Sequence, residues 1–189
     1  MKTTVHTLET APAESQPLLE NSIKAFGRLP SLHAVMAESP GLLEGYQRLH
    51  KAAIEATAFT PEERTVVWMA TNVFHACHYC VPAHTGIAKR EKIDDAVIDA
   101  LRDETPLPDA KLEALRAFTL AVLETRGRPS AEAVAAFEAA GYGERAALDT
   151  VMIIAQKVMS NFTNSLFDTP TDAAFEKFLW TPKAPADAA

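Results

Sequence analysis

The sequence predicts an all-α protein folded as a compact multi-helix bundle. Helix-forming alanine, leucine and glutamate are abundant, whereas 189 residues contain only 7 glycines, a composition that favours helix over sheet. Between proline- and glycine-bearing breaks, apolar residues recur at helical spacing. No alternating apolar and polar run of strand length stands out.

Residues 1–17 are polar and proline-bearing and read as an N-terminal arm, 18–180 as the helical domain, and the proline- and alanine-rich 181–189 as a tail. Breaks fall at Pro30, 39–41, 60–61, 105–108, 127–129, 141–143 and 169–170. Ahead of Phe59, the residues Leu42, Leu43, Tyr46, Leu49, Ala53 and Ile54 line one helical face. Thr60-Pro61-Glu62-Glu63 then opens a helix, with Thr60 as N-cap, Pro61 in the first position and Glu63 where a capping box places its acid. That helix is predicted to run on toward the cysteines. Its body, 66–74, is apolar nearly all round, and so is 148–159. Helices of that kind are buried, so these two should form the centre of the bundle. Ile93, Val97, Ile98 and Leu101 mark a helix after the cysteines, and Leu112, Leu115, Phe118, Thr119 and Val122 mark a longer one ending near Arg126-Gly127.

Charge and cysteine usage narrow the function. With 18 Lys and Arg against 25 Asp and Glu, the net charge is −7, which sets aside a nucleic-acid partner because such a protein needs a basic face. The N-terminus lacks an apolar signal region, and no run approaches the ~18 apolar residues of a membrane span. The chain therefore reads as cytoplasmic, without a membrane partner. Cys77 and Cys80 lie too close together to staple distant segments, so a disulfide scaffold is ruled out. In a reducing compartment such a pair is catalytic or metal-binding.

The local sequence is HACHYCVPAH, and it spaces Cys77, Cys80 and His84 at i, i+3 and i+7. On a continuous helix all three share one face. Pro82 argues for a kink or restart near Val81, and a restart puts Cys80 at a helix N-terminus, where the dipole favours a thiolate. This disposition suits a redox dithiol: one activated sulfur, a second in reach, and a histidine to manage protons. Zinc held by Cys77, Cys80, His84 and one of His75 or His78 is an alternative, although structural sites usually draw their second ligand pair from a distant segment. An inert buried pair is another. Haem attachment fails because Val81 follows Cys80, and a thioredoxin-like frame fails for want of a βαβ pattern.

The stretches LPSLHAVMAESPGLLEGYQRL and TPEERTVVWMATNVFHACHYCVPAHTGIAKR resemble the AhpD-like alkyl hydroperoxidases of the carboxymuconolactone decarboxylase superfamily. The likeness covers about residues 23–100 and continues more loosely through ALDTVMIIAQKVMSNFTNSL. It implies an AhpD-like all-α bundle, a homo-oligomer (trimer or hexamer), and thiol-dependent reduction of a small-molecule organic hydroperoxide at the expense of a dithiol reductant. No cofactor or metal is implied. By the same likeness Cys80 is peroxidatic, Cys77 resolves its sulfenic acid, and His84 joins the proton relay. The relay acid of the founding members falls at Thr65 here, and Tyr79 stands where they carry a histidine. Glu63 is the nearest candidate acid, and it is equally a capping residue. On one straight helix it would lie ~21 Å from Cys77. The rival functions are lactone decarboxylation, the superfamily's other named activity, and a non-enzymatic redox-sensing or zinc-binding helical module.

Other residues receive plainer readings. His6 belongs to the arm, and His33 and His50 sit on helices away from the motif as surface or partly buried side chains. Trp68 and Phe74 read as core packing, and Asn72, Asn161 and Asn164 as hydrogen-bonding groups in or after buried helices.

Overall fold

Caps and prolines divide the described residues, 1–183 of a computed structural model, into nine helices. In chain order they are α1 (Gln16–Phe26), α2 (Ser31–Met36), α3 (Pro40–Glu55), α4 (Pro61–Phe74), α5 (Cys80–Arg90), α6 (Asp95–Arg102), α7 (Ala110–Glu124), α8 (Ala131–Ala139) and α9 (Glu144–Phe167). A 3-10 turn, Ala173–Phe178, follows. No strand occurs among the described residues, and most of the tail expected at 181–189 lies outside them.

Helix α4 is the hub, packed against α5, α6, α7 and α9. Its start carries the expected capping box. Thr60 Oγ1 accepts from the Glu63 N–H at 3.2 Å, and Glu63 Oε2 accepts from the Thr60 N–H at 2.9 Å. Behind the cap, Val66, Val67, Trp68 and Met69 are buried together with Leu115 of α7 and Ile153 of α9. Each such side chain contributes about 1.5–3 kcal/mol by leaving water. A second apolar cluster, with Leu19, Met36, Leu43 and Tyr46 from α1 to α3, closes around Cys77 and Cys80.

Helix α4 does not reach the cysteines. It stops at Phe74 because Ala76 turns left-handed at φ 49°. The Cys77 N–H then bonds the Asn72 carbonyl at 3.0 Å and the Ala76 N–H bonds the Val73 carbonyl at 2.8 Å, a Schellman closure. No glycine marks this stop, so sequence punctuation misses it. Cys77 therefore sits in the connector, and the three motif residues do not share one continuous helix. Phe74, expected in the core, is 42% exposed at the end of its helix.

The expectation that 148–159 is buried all round also fails. Leu148 is 63% and Val151 53% exposed, whereas Ala146, Thr150 and Ile153 of the same helix are buried. The reason is position: α9 packs against α3 and α4 along one side and lies at the edge of the bundle. After α9, the 3-10 turn crosses α5 at Gly86, where a Cβ would lie 2.8 Å from the Phe175 ring. Trp180 Nε1 anchors this strap by donating to the Arg102 carbonyl at 3.0 Å.

Candidate active site

Cys80 is the first residue of α5, as a restart near Val81 requires. Pro82 falls within that helix's first turn, where its missing N–H leaves no bond unmade. The Cys80 N–H donates to Cys77 Sγ at 3.2 Å, so the second sulfur caps the helix that begins with the first. Asn164 Nδ2 reaches Cys80 Sγ at 3.2 Å and Cys77 Sγ at 3.8 Å. Both cysteines are buried free thiols. Asn161 Nδ2 donates to Asn72 Oδ1 at 2.9 Å, and His75 Nδ1 lies 3.0 Å from Asn161 Oδ1, tying α4, the connector and α9 together.

The decisive neighbour is Lys157 of α9, which is completely buried. Its Nζ lies 2.9 Å from His84 Nε2. An ammonium only donates, so His84 Nε2 accepts and the imidazole is neutral. Burial, then Lys157, then His50 hold the His84 pKa well below its ordinary value. The two thiols are split in opposite directions. Burial alone would raise Cys80, but the Cys77 thiol, the charge of Lys157, and hydrogen bonds from Ser160 and Asn164 bring it down to about 5. Cys77 is pushed up by its hydrogen bond to Cys80 and then by burial. Among the described residues no carboxylate lies within ion-pair distance of Lys157, and its charge acts on Cys80 and His84. Trp68 does more than fill the core. Its ring centroid lies 5.0 Å from that of His84, and its Nε1 donates to Gln156 Oε1 at 3.1 Å.

A cavity of about 170 Å³ opens over Cys80, lined on one side by His84 and Lys157 and on the other by His33, Tyr46 and His50. This corrects the placement of His33 and His50 away from the motif. The α2 and α3 helices pack on α9, and from there both rings line the cavity over the sulfur. Burial, then His50, lowers the His33 pKa to about 4, and burial, then Lys157 and Arg64, lowers His50 to about 4. Both are neutral near pH 7. Tyr79 donates to Asp172 Oδ2 at 2.6 Å, and that carboxylate is further held by Ser31 and Arg28.

Cys77, Cys80 and His84 thus converge, and Glu63 is not with them. Glu63 Oε1 accepts from Tyr142 at 3.0 Å and pairs with Lys111 at 2.9 Å, while Oε2 completes the cap. Burial would raise its pKa, but the Thr60 N–H, Lys111 and Tyr142 lower it. The histidines of the zinc alternative also face elsewhere, His75 to Asn161 and His78 Nε2 to the Thr169 carbonyl at 3.0 Å. Among the described residues no group of three or more His, Cys, Asp or Glu is placed to hold a metal ion. Sequence reasoning passed over Lys157, and Asn164 was read only as a hydrogen-bonding group. The available signal was a lysine inside a run otherwise apolar enough to be buried, since an interior lysine is rare without a partner.

Comparison with known proteins agrees with this architecture. No curated protein sequence matches the chain. The fold is similar to the alkylhydroperoxidase AhpD core of an uncharacterized peroxidase-related protein from Ralstonia eutropha JMP134, with TM-score 0.80 and 21% identity over 92% of this chain and 93% of that one. It is also similar to an uncharacterized peroxidase-related protein from Silicibacter sp. TM1040, with TM-score 0.77 and 16% identity over 92% and 93% of the two chains. A cysteine-to-alanine variant of the debrominase Bmp8, in complex with 2,3,4-tribromopyrrole, gives TM-score 0.76 and 22% identity over 94% and 96%. Residues 40–123, which span α3 to most of α7, match the model of the carboxymuconolactone decarboxylase family. Residues 40–123 are therefore similar to the carboxymuconolactone decarboxylase family, and the fold of the chain is AhpD-like.

Proposed function

We propose that the protein is a thiol-dependent peroxidase that reduces organic hydroperoxides by cycling Cys80 and Cys77 between dithiol and disulfide. One observation carries the reading: the Cys80 sulfur heads a helix, accepts from Asn164, and is drawn down to about 5 beside the buried Lys157. A thiol so placed is ionised near pH 7, and the thiolate is the nucleophile.

Attack of Cys80 on the terminal peroxide oxygen forms the S–O bond as the O–O bond breaks. Cys80 becomes a sulfenic acid, and the leaving alkoxide takes a proton from the Lys157–His84 pair to become an alcohol. Cys77 then attacks the sulfenic sulfur. Its proton and the sulfenic hydroxyl leave as water, and the disulfide forms. An external dithiol reopens that bond by exchange and leaves as its own disulfide, restoring both thiols. In this reading Lys157 takes the position an acid-linked relay would give to a carboxylate, and Glu63 serves as the cap of α4. The pocket's apolar wall excludes water and suits an organic rather than an aqueous peroxide.

The test is consumption of cumene hydroperoxide in the presence of dithiothreitol. Wild type turns over, and Cys80→Ser loses at least ~1,000-fold, as removal of an obligatory nucleophile does. With no dithiol added, Cys77→Ser consumes one equivalent and stalls as a sulfenic acid that dimedone traps. A wild-type protein that consumes no hydroperoxide with a dithiol present overturns the reading.

A further inference from the structure

We propose that the cavity above Cys80 takes an amphiphilic hydroperoxide whose carboxylate end is held by Arg90 at the far end of the channel. Only the hydroperoxide end rests on the peroxidase reading. The anion site stands on the charges that line the cavities.

The first support is geometric. Along α5, Cys80, Ala83, His84, Ile87 and Arg90 all line the cavity, and their spacing of i, i+3, i+4, i+7 and i+10 makes one stripe down the helix. At 1.5 Å per residue the stripe runs ~15 Å from the sulfur-bearing residue to the arginine. Between its ends the walls are apolar, with Phe26, Leu32, Ile87 and Phe175. A second cavity of about 730 Å³ shares Phe26, His33, Tyr46, His50, Ile87 and Arg90 with the first, so the two abut and Arg90 stands where they meet.

The second support is the charge inventory. Among the described residues no Asp or Glu lines the cavity over Cys80. Every other charged group lining either cavity has a partner. Arg28 pairs with Asp172 at 3.0 Å, Glu44 with Arg48 at 2.7 Å, Lys51 with Glu55 at 3.8 Å, and Glu91 with Arg64 at 4.0 Å. Lys157 faces Cys80 and His84, and His33 and His50 are neutral. Among the described residues, Arg90 alone lines both cavities with no carboxylate in ion-pair distance. Complementing the α5 C-terminus does not require it, since Lys89 is also in that last turn, held to Asp95 at 2.7 Å. A guanidinium fork matches a carboxylate in two parallel hydrogen bonds. A ligand with a polar reactive end, an apolar body and an anionic tail meets all three zones in order.

The test separates binding from chemistry. Calorimetric titration of the reduced, full-length protein with decanoate and with 1-decanol should show decanoate binding about 10-fold tighter, as expected for a charge-assisted hydrogen-bond pair at a wet site. Arg90→Gln should bring the ratio to near one, and Arg90→Lys should restore part of it. The preference should also weaken with salt. Turnover of a fatty-acid hydroperoxide and of its methyl ester should give the same preference in kcat/KM, with the same dependence on Arg90. Equal binding of decanoate and decanol to wild type, or a preference that survives Arg90→Gln, overturns the anion site. If decanoate binding depends on Arg90 while neither hydroperoxide is consumed, the peroxidase reading falls and the anion site stands.

Discussion

The two halves of α9 bury opposite kinds of side chain. The N-terminal half turns Ala146, Thr150 and Ile153 toward α4 and α7 and belongs to the apolar core. The C-terminal half buries Gln156, Lys157, Ser160, Asn161 and Asn164, all fully sequestered from solvent. The first arrangement stabilises the fold by removing apolar area from water. The second costs desolvation, most of all for an ammonium. A helix of one continuous geometry can therefore be structural along one stretch and chemical along the next. The polar half still meets α4, through Trp68 and Asn72, and adds the start of α5 and its sulfur. The polar half is held by partners on other helices and by the sulfurs: Gln156 accepts from Trp68, Lys157 meets His84, Asn161 donates to Asn72, and Asn164 reaches Cys77 and Cys80.

Three substitutions sharpen or break that contrast. The largest effect is expected from Lys157→Met, which keeps side-chain length and removes the charge. Iodoacetamide alkylation of Cys80 in wild type should fall as pH falls through about 5, because the thiolate reacts and the thiol does not. In Lys157→Met the midpoint should move upward toward the ordinary thiol range. Peroxide turnover near pH 7 should drop roughly 100-fold through loss of the proton donor, while urea melts show stability unchanged or raised, since a desolvated charge has been deleted. An unmoved alkylation midpoint would remove Lys157 from the site's electrostatics.

Ile153→Ala probes the other half of the helix. It should cost about 3 kcal/mol in urea denaturation, as large-to-small changes in a packed core do, and leave the alkylation midpoint where it is. A shifted midpoint would mean that the two halves are coupled and the contrast is false. The smallest effect belongs to Glu63→Ala, which removes one arm of the capping box together with the bonds to Tyr142 and Lys111. A loss of ~1 kcal/mol in thermal or urea melts is expected, with the alkylation pH profile intact. If that profile moves with Glu63, the carboxylate belongs to the relay after all.

Much of the scaffold was legible in the sequence because its signals are local. The capping box at Thr60 and Glu63 needs only four residues, and a proline just after Cys80 announces a helix start. The AhpD-like, all-helical fold was legible from the same punctuation together with the residues of the resemblance. What escaped was set by packing. Ala76 ends α4 without a glycine, and that stop takes Cys77 off the helix. Phe74 ends half-exposed at the last turn of α4, its ring against His75 alone among the described aromatic rings. Leu148 and Val151 are apolar yet exposed, because only the assembled bundle decides which side of α9 faces inward. His33 and His50 reach the cavity because α2 and α3 pack on α9, a contact no spacing along the chain encodes.

The sequence by itself determined where helices begin and that Cys80 stands at the head of one, with Cys77 one turn away. Capping, proline geometry and hydrophobic period act over a few residues and can be read there. Only the tertiary structure decided which charge faces the sulfur. Lys157 meets His84 across 73 residues of chain, and Glu63, far nearer in sequence to the cysteines, is spent on its own helix and on Lys111 and Tyr142. Electrostatic influence falls with distance through space and rises with burial, and neither quantity is written along the chain.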